Sequence, residues 1–198
     1  MRLGERTFLR LDLGHPEIEA RILEEISAGV DVYYDRLWPF TRAFCRTLLR
    51  QPDLVAGRDV LVVGAGVGLE AVVVGRMGGR PWINDRAPVA LELCRRQLRE
   101  NGVDVAGTVP GSFADLQLPP VDVVVACFVV YDEETRRAAR ALERTAGEAG
   151  VPLLLGGEDV GGHLTALLED VRRPLREIPV HGEGEGRIVL IGDGYAAS

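Results

Sequence analysis

A glycine turn set between an apolar run and a helical stretch constrains this chain more than any other feature. Asp59-Val60-Leu61-Val62-Val63 runs into Gly64-Ala65-Gly66-Val67-Gly68, and Leu69 to Met77 then reads as a helix. A short strand that is apolar at nearly every position belongs inside a sheet covered on both faces, which points to a parallel sheet. Glycines at such a turn let the backbone approach a ligand closely, and the following helix offers free N–H groups. The same order recurs along the chain. Pro81 to Asp85 reads as a strand, and Pro88 to Asn101 as an amphipathic helix with Leu91, Cys94 and Leu98 on one stripe. Val105 to Val109 and Val121 to Phe128 are strands, Asp132 to Gly147 is a charged helix, Val151 to Leu155 a strand, and His163 to Arg172 a short helix. Two strand-like runs between Arg176 and Ile191 flank Gly182 to Gly186 and form an antiparallel pair. This alternation predicts an α/β, Rossmann-like fold with a mostly parallel sheet, right-handed crossovers and an antiparallel C-terminal hairpin.

The first 50 residues read differently. His15 to Gly29 places Ile18, Ile22, Leu23 and Ile26 at helical spacing, an aromatic stretch from Tyr33 to Phe40 follows, and a second helix is predicted from about Thr41 to Arg50. We therefore expect an N-terminal helical extension and lid over residues 1–50 and a single globular unit over 51–198. A chain of 198 residues with 46% hydrophobic residues has ample material for one core. Its net charge of −7 argues against a broad nucleic-acid footprint. The longest apolar run, Val123 to Tyr131, falls well short of a membrane span, and the charged N-terminus has no apolar signal core. Cys45, Cys94 and Cys127 fit neither a disulfide framework nor a zinc site, so reduced thiols in a cytoplasmic protein are expected. The three histidines form no ligand cluster, and no metal is expected.

In a parallel α/β sheet, ligands sit outside the carboxyl ends of the strands, at the topological switch point. That gathers the Gly64 loop, Asp85, Ser112 and the Cys127 to Tyr131 segment around one crevice. Asp85 ends the second strand of the series, where a carboxylate can accept both hydroxyls of a ribose, or cap the helix near Pro88. Asn84 can bond the same sugar or the turn. A dinucleotide fingerprint would place Gly or Ala at position 69, which here is Leu69. The Gly-x-Gly-x-Gly pattern tilts toward S-adenosylmethionine and away from a nucleotide-dependent oxidoreductase.

At these residues the chain resembles a known family. Leu37-Trp38-Pro39, Leu48 to Gly57, Val60 to Leu69, Asn84-Asp85-Arg86-Ala87-Pro88, Asn101-Gly102-Val103 and Val130 to Thr135 are similar to the class I, seven-strand S-adenosylmethionine-dependent methyltransferases. Within them the resemblance is to the electron-transfer-flavoprotein β-subunit lysine methyltransferase group. It implies a seven-strand sheet, S-adenosylmethionine as cofactor and protein lysine methylation. It also implies that Trp38 flanks the cofactor pocket, that Gly64, Ala65, Gly66 and Gly68 pass the methionine moiety, and that Asn84 and Asp85 hold the ribose. Ser112 and Phe113 fall where the family contacts adenine. Three departures stand out. Val62 replaces an acid that helps hold the cofactor's amino end, Ser112 replaces the adenine-contacting acid, and Phe128 replaces the aspartate of an Asp-x-x-Tyr motif that ends here at Tyr131. These motivate an alternative, a catalytically degenerate methyltransferase-like binding protein.

Methyl transfer needs an acceptor lone pair held in line with the methyl group in a dry site. Tyr131 is the candidate for orienting the acceptor, with Trp38, Tyr33 and Tyr34 walling the pocket. The missing carboxylate at Phe128 predicts either a neutral or aromatic-stabilised acceptor, or a carboxylate supplied by Glu158 or Asp159, whose alternative role is to cap the next helix. The acceptor is expected to be a protein or a small molecule.

Overall fold

Val60 to Val63 are buried, and a strand apolar on both of its faces needs cover on both. The computed structural model provides that cover; it describes residues 1–34, 37–182 and 185–193. A short antiparallel hairpin, β1 (Arg2–Leu3) and β2 (Arg6–Thr7), precedes α1 (Pro16–Ser27) and α2 (Pro39–Arg50). The alternating part then runs β3 (Asp59–Val63), α3 (Leu69–Arg76), β4 (Arg80–Asp85), α4 (Pro88–Glu100), β5 (Gly107–Pro110), β6 (Val123–Cys127), α5 (Glu133–Glu148), β7 (Leu153–Gly157), α6 (His163–Asp170), β8 (Leu175–Ile178) and β9 (Arg187–Ile191). The expected turn of Gly182 to Gly186 includes Glu183 and Gly184, and the aromatic stretch includes Asp35 and Arg36; these four lie outside the described residues.

Seven strands form one sheet in the order β5-β4-β3-β6-β7-β9-β8. β5, β4, β3, β6 and β7 pair in parallel, while β9 runs antiparallel to both β7 and β8 and lies between them. The order reverses between β3 and β6. Their register sets Val63 beside Ala126, so the chain leaves both strands at the same edge of the sheet, where β4 also ends at Asp85.

One face of the sheet is packed with α2, α3 and α4, through Phe40, Phe44, Leu48, Val72, Cys94 and Leu98. The other is packed with α5 and α6, through Leu142, Leu164 and Leu167. α2 thus shares the core of the sheet although it precedes residue 51. Its rings press on main chain: a Cβ at Gly156 would stand 2.6 Å from Phe44 Cδ2. α1 sits in a separate cluster against α4, where Ile18 and Ile22 meet Val89 and Leu93. The expected apolar stripe on α1 is corrected here. Leu23 and Ile26 are half exposed, and the third buried position is Glu25.

Gly68 is also reassigned, from ligand cradle to packing. It has φ +84°, and an added Cβ would stand 2.5 Å from Cys94 Sγ. The absence of a side chain lets α4 close against the head of α3. Glu70, in the first turn of α3, is buried, close to the Thr41 hydroxyl and the Cys127 thiol, which lie 3.8 Å from each other. Burial pushes that carboxyl above the usual range. The three cysteines are free and buried, and burial holds their thiols well above their ordinary value.

Two stability predictions follow from these contacts. Gly68→Ala should destabilise by on the order of 2 kcal/mol or more, from the left-handed backbone plus the Cys94 overlap. Gly57→Ala has a φ of +72° but nothing within 4 Å, so it should cost only the backbone part, about 1 kcal/mol. Urea unfolding of the two variants gives the comparison. The second concerns Glu70. A carboxyl whose pKa is raised by folding favours the fold below its unfolded pKa, and that contribution is lost as pH rises through the folded value. The stability advantage of Glu70→Gln over wild type should therefore grow from low pH toward pH ~8. Parallel pH profiles for the two proteins would contradict the assignment.

Candidate active site

A cavity of about 390 Å³ opens at the carboxyl edge of β3, β4 and β6. Its floor begins at the glycine turn. Gly64 has φ +58°, and a Cβ there would stand 2.8 Å from Val129 Cγ1. Glycine is required here by the left-handed backbone and the closeness of Val129. Gly66 donates its N–H to Asp85 Oδ2 at 2.9 Å, and Ala87 donates to Asp85 Oδ1 at 3.0 Å. One carboxylate thus fastens the end of β4 to the glycine turn and to the head of α4. Asp85 is half-buried, and desolvation raises its pKa against the pull of the Ala87 and Gly66 amides. Each oxygen uses one lone pair on these amides and keeps another for a ligand.

Asn84 points elsewhere. Successive residues on a strand face opposite sides of the sheet, so with Asp85 on the cavity Asn84 is turned inward and fully buried. Its Nδ2 donates to Val109 O at 2.8 Å and Gly111 O at 2.9 Å. It holds the loop carrying Ser112 and Phe113, and its expected contact with the sugar is corrected to that supporting role. Ala65 is likewise buried, with its N–H donated to Asn84 O. Ser112 and Phe113 line the cavity, and Ser112 Oγ accepts the N–H of Ala114.

The opposite wall is aromatic. Phe128, the residue after β6, has φ +55° and is the one non-glycine with positive φ among the described residues. That backbone costs about 1–2 kcal/mol. It turns the ring onto Trp38, with centroids 5.1 Å apart and planes inclined by 19°. The Phe128 N–H donates to Gly156 O at 2.7 Å. Tyr131 lies 5.4 Å from Tyr33, centroid to centroid. Its position is fixed by the cap of α5: the Tyr131 and Asp132 N–H groups both donate to Thr135 Oγ1, and Thr135 N donates to Asp132 Oδ1. Half-buried Tyr131 has its phenol pushed up by desolvation, so at neutral pH it is a hydroxyl that donates and accepts hydrogen bonds.

Of the expected site residues, Trp38, Gly64, Gly66, Asp85, Ser112, Phe113 and Tyr131 line this cavity. Ala65, Gly68, Asn84, Glu158 and Asp159 do not. Asp159 is occupied with α6. Its Oδ1 accepts Leu164 N at 3.0 Å and Thr165 N at 3.1 Å, and Thr165 Oγ1 donates to Oδ2 at 2.6 Å. The Thr165 bonds hold its carboxyl below the usual range, and the expectation that it orients an acceptor is withdrawn in favour of capping. The carboxylates on the wall are Asp31, Asp85 and Glu134. Asp31 stands 3.6 Å from Arg86. Glu134, three residues beyond Tyr131, was not singled out from sequence, because in an acidic first turn it reads as helix-dipole pairing. Asp31, Arg86 and Val160 were missed for the same kind of reason: each sits in a loop or cap whose reach depends on the tertiary fold. Among the described residues, no three His, Cys, Asp or Glu side chains form a group that could hold a metal, and no helix is long and apolar enough to cross a membrane.

No family model matches the chain. Histone-arginine methyltransferase METTL23 of Xenopus laevis is 32% identical over 142 residues, covering 66% of this chain and 59% of that protein. The electron transfer flavoprotein beta subunit lysine methyltransferase of Rattus norvegicus is 28% identical over 131 residues, 60% of this chain and 51% of that protein. The chain therefore spans about half to six-tenths of the length of the curated relatives it matches. Among solved structures, magnesium protoporphyrin IX methyltransferase of Synechocystis, solved with bound S-adenosylmethionine, superposes with a TM-score of 0.61 at 14% identity, covering 94% of this chain and 100% of that one. The strand order, the single reversed strand and the glycine turn at the switch point give the chain the Rossmann-like fold of the class I, seven-strand methyltransferases, and the curated relatives it resembles are methyltransferases.

Proposed function

We propose that this protein binds S-adenosylmethionine in the switch-point cavity and transfers its methyl group to a side-chain nitrogen of a protein. The observation that carries the reading is the convergence of Gly64, Gly66 and Asp85 on one cavity, with Asp85 bonded to the loop it would serve. The residues present fit the cofactor. The Gly64–Gly66 backbone would run beside the methionine portion, Asp85 has lone pairs left for ribose hydroxyls, and Ser112 and Phe113 would meet the adenine. When bound, S-adenosylmethionine supplies a methyl carbon on a sulfonium centre that leaves as a neutral thioether. The chain's own part is to hold the acceptor in line and to exclude water, which needs no metal and no covalent enzyme intermediate.

The acceptor class rests on the relatives, whose names specify histone arginine and a flavoprotein lysine, and on the wall opposite the glycine turn. Trp38, Phe128, Tyr33 and Tyr131 offer aromatic faces to a cation. Glu134 takes the place assigned from sequence to Glu158 and Asp159. It lines the cavity on the Tyr131 side, and among the described residues its carboxylate makes no hydrogen bond or ion pair. A buried cationic amine without a carboxylate partner is costly. Glu134 would lower that cost, and the Tyr131 hydroxyl would orient the nitrogen lone pair. Cytoplasmic residence is part of the proposal; the three free, buried thiols support a reducing compartment.

Two measurements test this reading. In parallel calorimetric titrations, S-adenosylhomocysteine should bind and NAD should not. Asp85→Ala should weaken that binding by about 2–3 kcal/mol, as loss of hydrogen bonds to a charged group does. A loss well under tenfold would remove Asp85 from the cofactor site. On lysine or arginine peptides, Glu134→Gln should reduce kcat/KM at least tenfold while Glu158→Gln leaves it unchanged. The reverse pattern would restore the assignment made from sequence. Binding of S-adenosylhomocysteine with no turnover on any protein or small-molecule acceptor would favour the degenerate binding protein instead.

A further inference from the structure

The head of α4 lacks a cap of its own. Its N-cap residue is Ala87, which has no side-chain oxygen, and the N–H groups of its first turn have no partner within the helix. The cap comes from another helix. Glu25 of α1 is buried, and its Oε1 accepts the N–H of Val89, the second residue of α4, at 2.9 Å. Its Oε2 accepts the hydroxyl of Tyr34. A buried carboxylate at a helix N-terminus is favourably placed, with the helix dipole and a free N–H both directed at it.

Tyr34 joins this cap to the cavity. It lines the cavity wall, and a Cβ built on Gly66 would stand 3.5 Å from the Tyr34 Cβ. The stretch 30–34 therefore lies over the glycine turn, with Asp31, Tyr33 and Tyr34 all on the cavity wall. At its start the stretch is tied by Val30 N donating to Glu25 O at 3.0 Å. The α1–α4 contact beneath is held by Ile18 and Ile22 and by the Arg21–Glu92 pair, which makes two bonds of 3.2 and 2.8 Å. α1 is thereby a rigid post, and the Glu25 carboxylate is where the roof of the cavity is fastened to it.

We propose that Glu25 is a positioning residue for the cofactor cavity. Its carboxylate latches Tyr34, and with it residues 31–34, over the Gly64–Gly66 turn, so that a ligand held there leaves only when this bond opens. The statement about ligand release rests on the cofactor reading above; the latch itself does not. Tyr34→Phe removes the latch and leaves the cap on Val89 in place, so it separates the roof from the head of α4.

Two readouts on the full-length chain test it. In ligand-free protein, amide hydrogen exchange at residues 31–34 should be at least fivefold faster in Tyr34→Phe than in wild type, with the Val89 amide unchanged. Glu25→Ala should speed exchange at both places. In stopped-flow displacement, run well below the Tm of both proteins, S-adenosylhomocysteine should dissociate at least fivefold faster from Tyr34→Phe, with a smaller change in association rate. Unchanged exchange at 31–34 in Tyr34→Phe would overturn the latch. Faster exchange with an unchanged dissociation rate would overturn its control of release. If wild-type protein binds no S-adenosylhomocysteine, the cofactor reading fails, and exchange alone decides whether Glu25 holds the roof.

Discussion

The carboxylate of Asp85 is the interaction on which the site depends. It accepts the amides of Gly66 and Ala87, so one side chain sets the glycine turn against both β4 and α4. A half-buried carboxylate with unused lone pairs is costly to desolvate, and desolvation raises its pKa. The fold bears the cost at the one edge of the sheet where the strand order reverses. Everything else at the cavity is arranged around that fixed point. Asn84 holds the adjacent loop from behind, Glu25 completes the head of α4, and Phe128 accepts a left-handed backbone to face the aromatic wall.

The backbone strain at Phe128 and the acids at Glu70, Asp85 and Glu25 are concentrated within a few residues of the cavity. Away from it the core is mainly apolar on both sheet faces, and the buried Glu143 there is paired with Arg140 at 2.9 Å. The division is what a binding site requires: a scaffold that over-determines the backbone, and a small set of groups held where they would not settle by themselves. Where the related motif has an aspartate, Phe128 stacks on Trp38, and Glu134 lines the cavity on the Tyr131 side.

The alternating strands and helices were legible because hydrophobic period and glycine punctuation are local signals, and they located β3 to β9 within a few residues. The place of Asp85 on the cavity was legible for the same reason, as a carboxylate at a strand end, and its bond from Ala87 also fits the capping alternative. What sequence misplaced is decided by direction and by tertiary reach. Asn84 and Asp85 are adjacent, and strand alternation sends one inward and the other to the cavity, which the residues alone do not say. Gly68 looks like its neighbours in the turn until α4 is laid against it. Asp159 caps a helix five and six residues away because Gly161 and Gly162 extend the turn between them. Glu25 is invisible as a site residue, since its partners at Tyr34 and Val89 are nine and 64 positions away.

The central claim is that the switch-point cavity holds S-adenosylmethionine through Asp85 and the glycine turn. A crystal structure of the protein grown with S-adenosylhomocysteine tests it most directly. The account predicts both ribose hydroxyls on the Asp85 carboxylate, the adenine beside Phe113, and the thioether sulfur directed at the Trp38–Phe128 wall. A cavity left empty at saturating ligand, or a ribose bound away from Asp85, would contradict it.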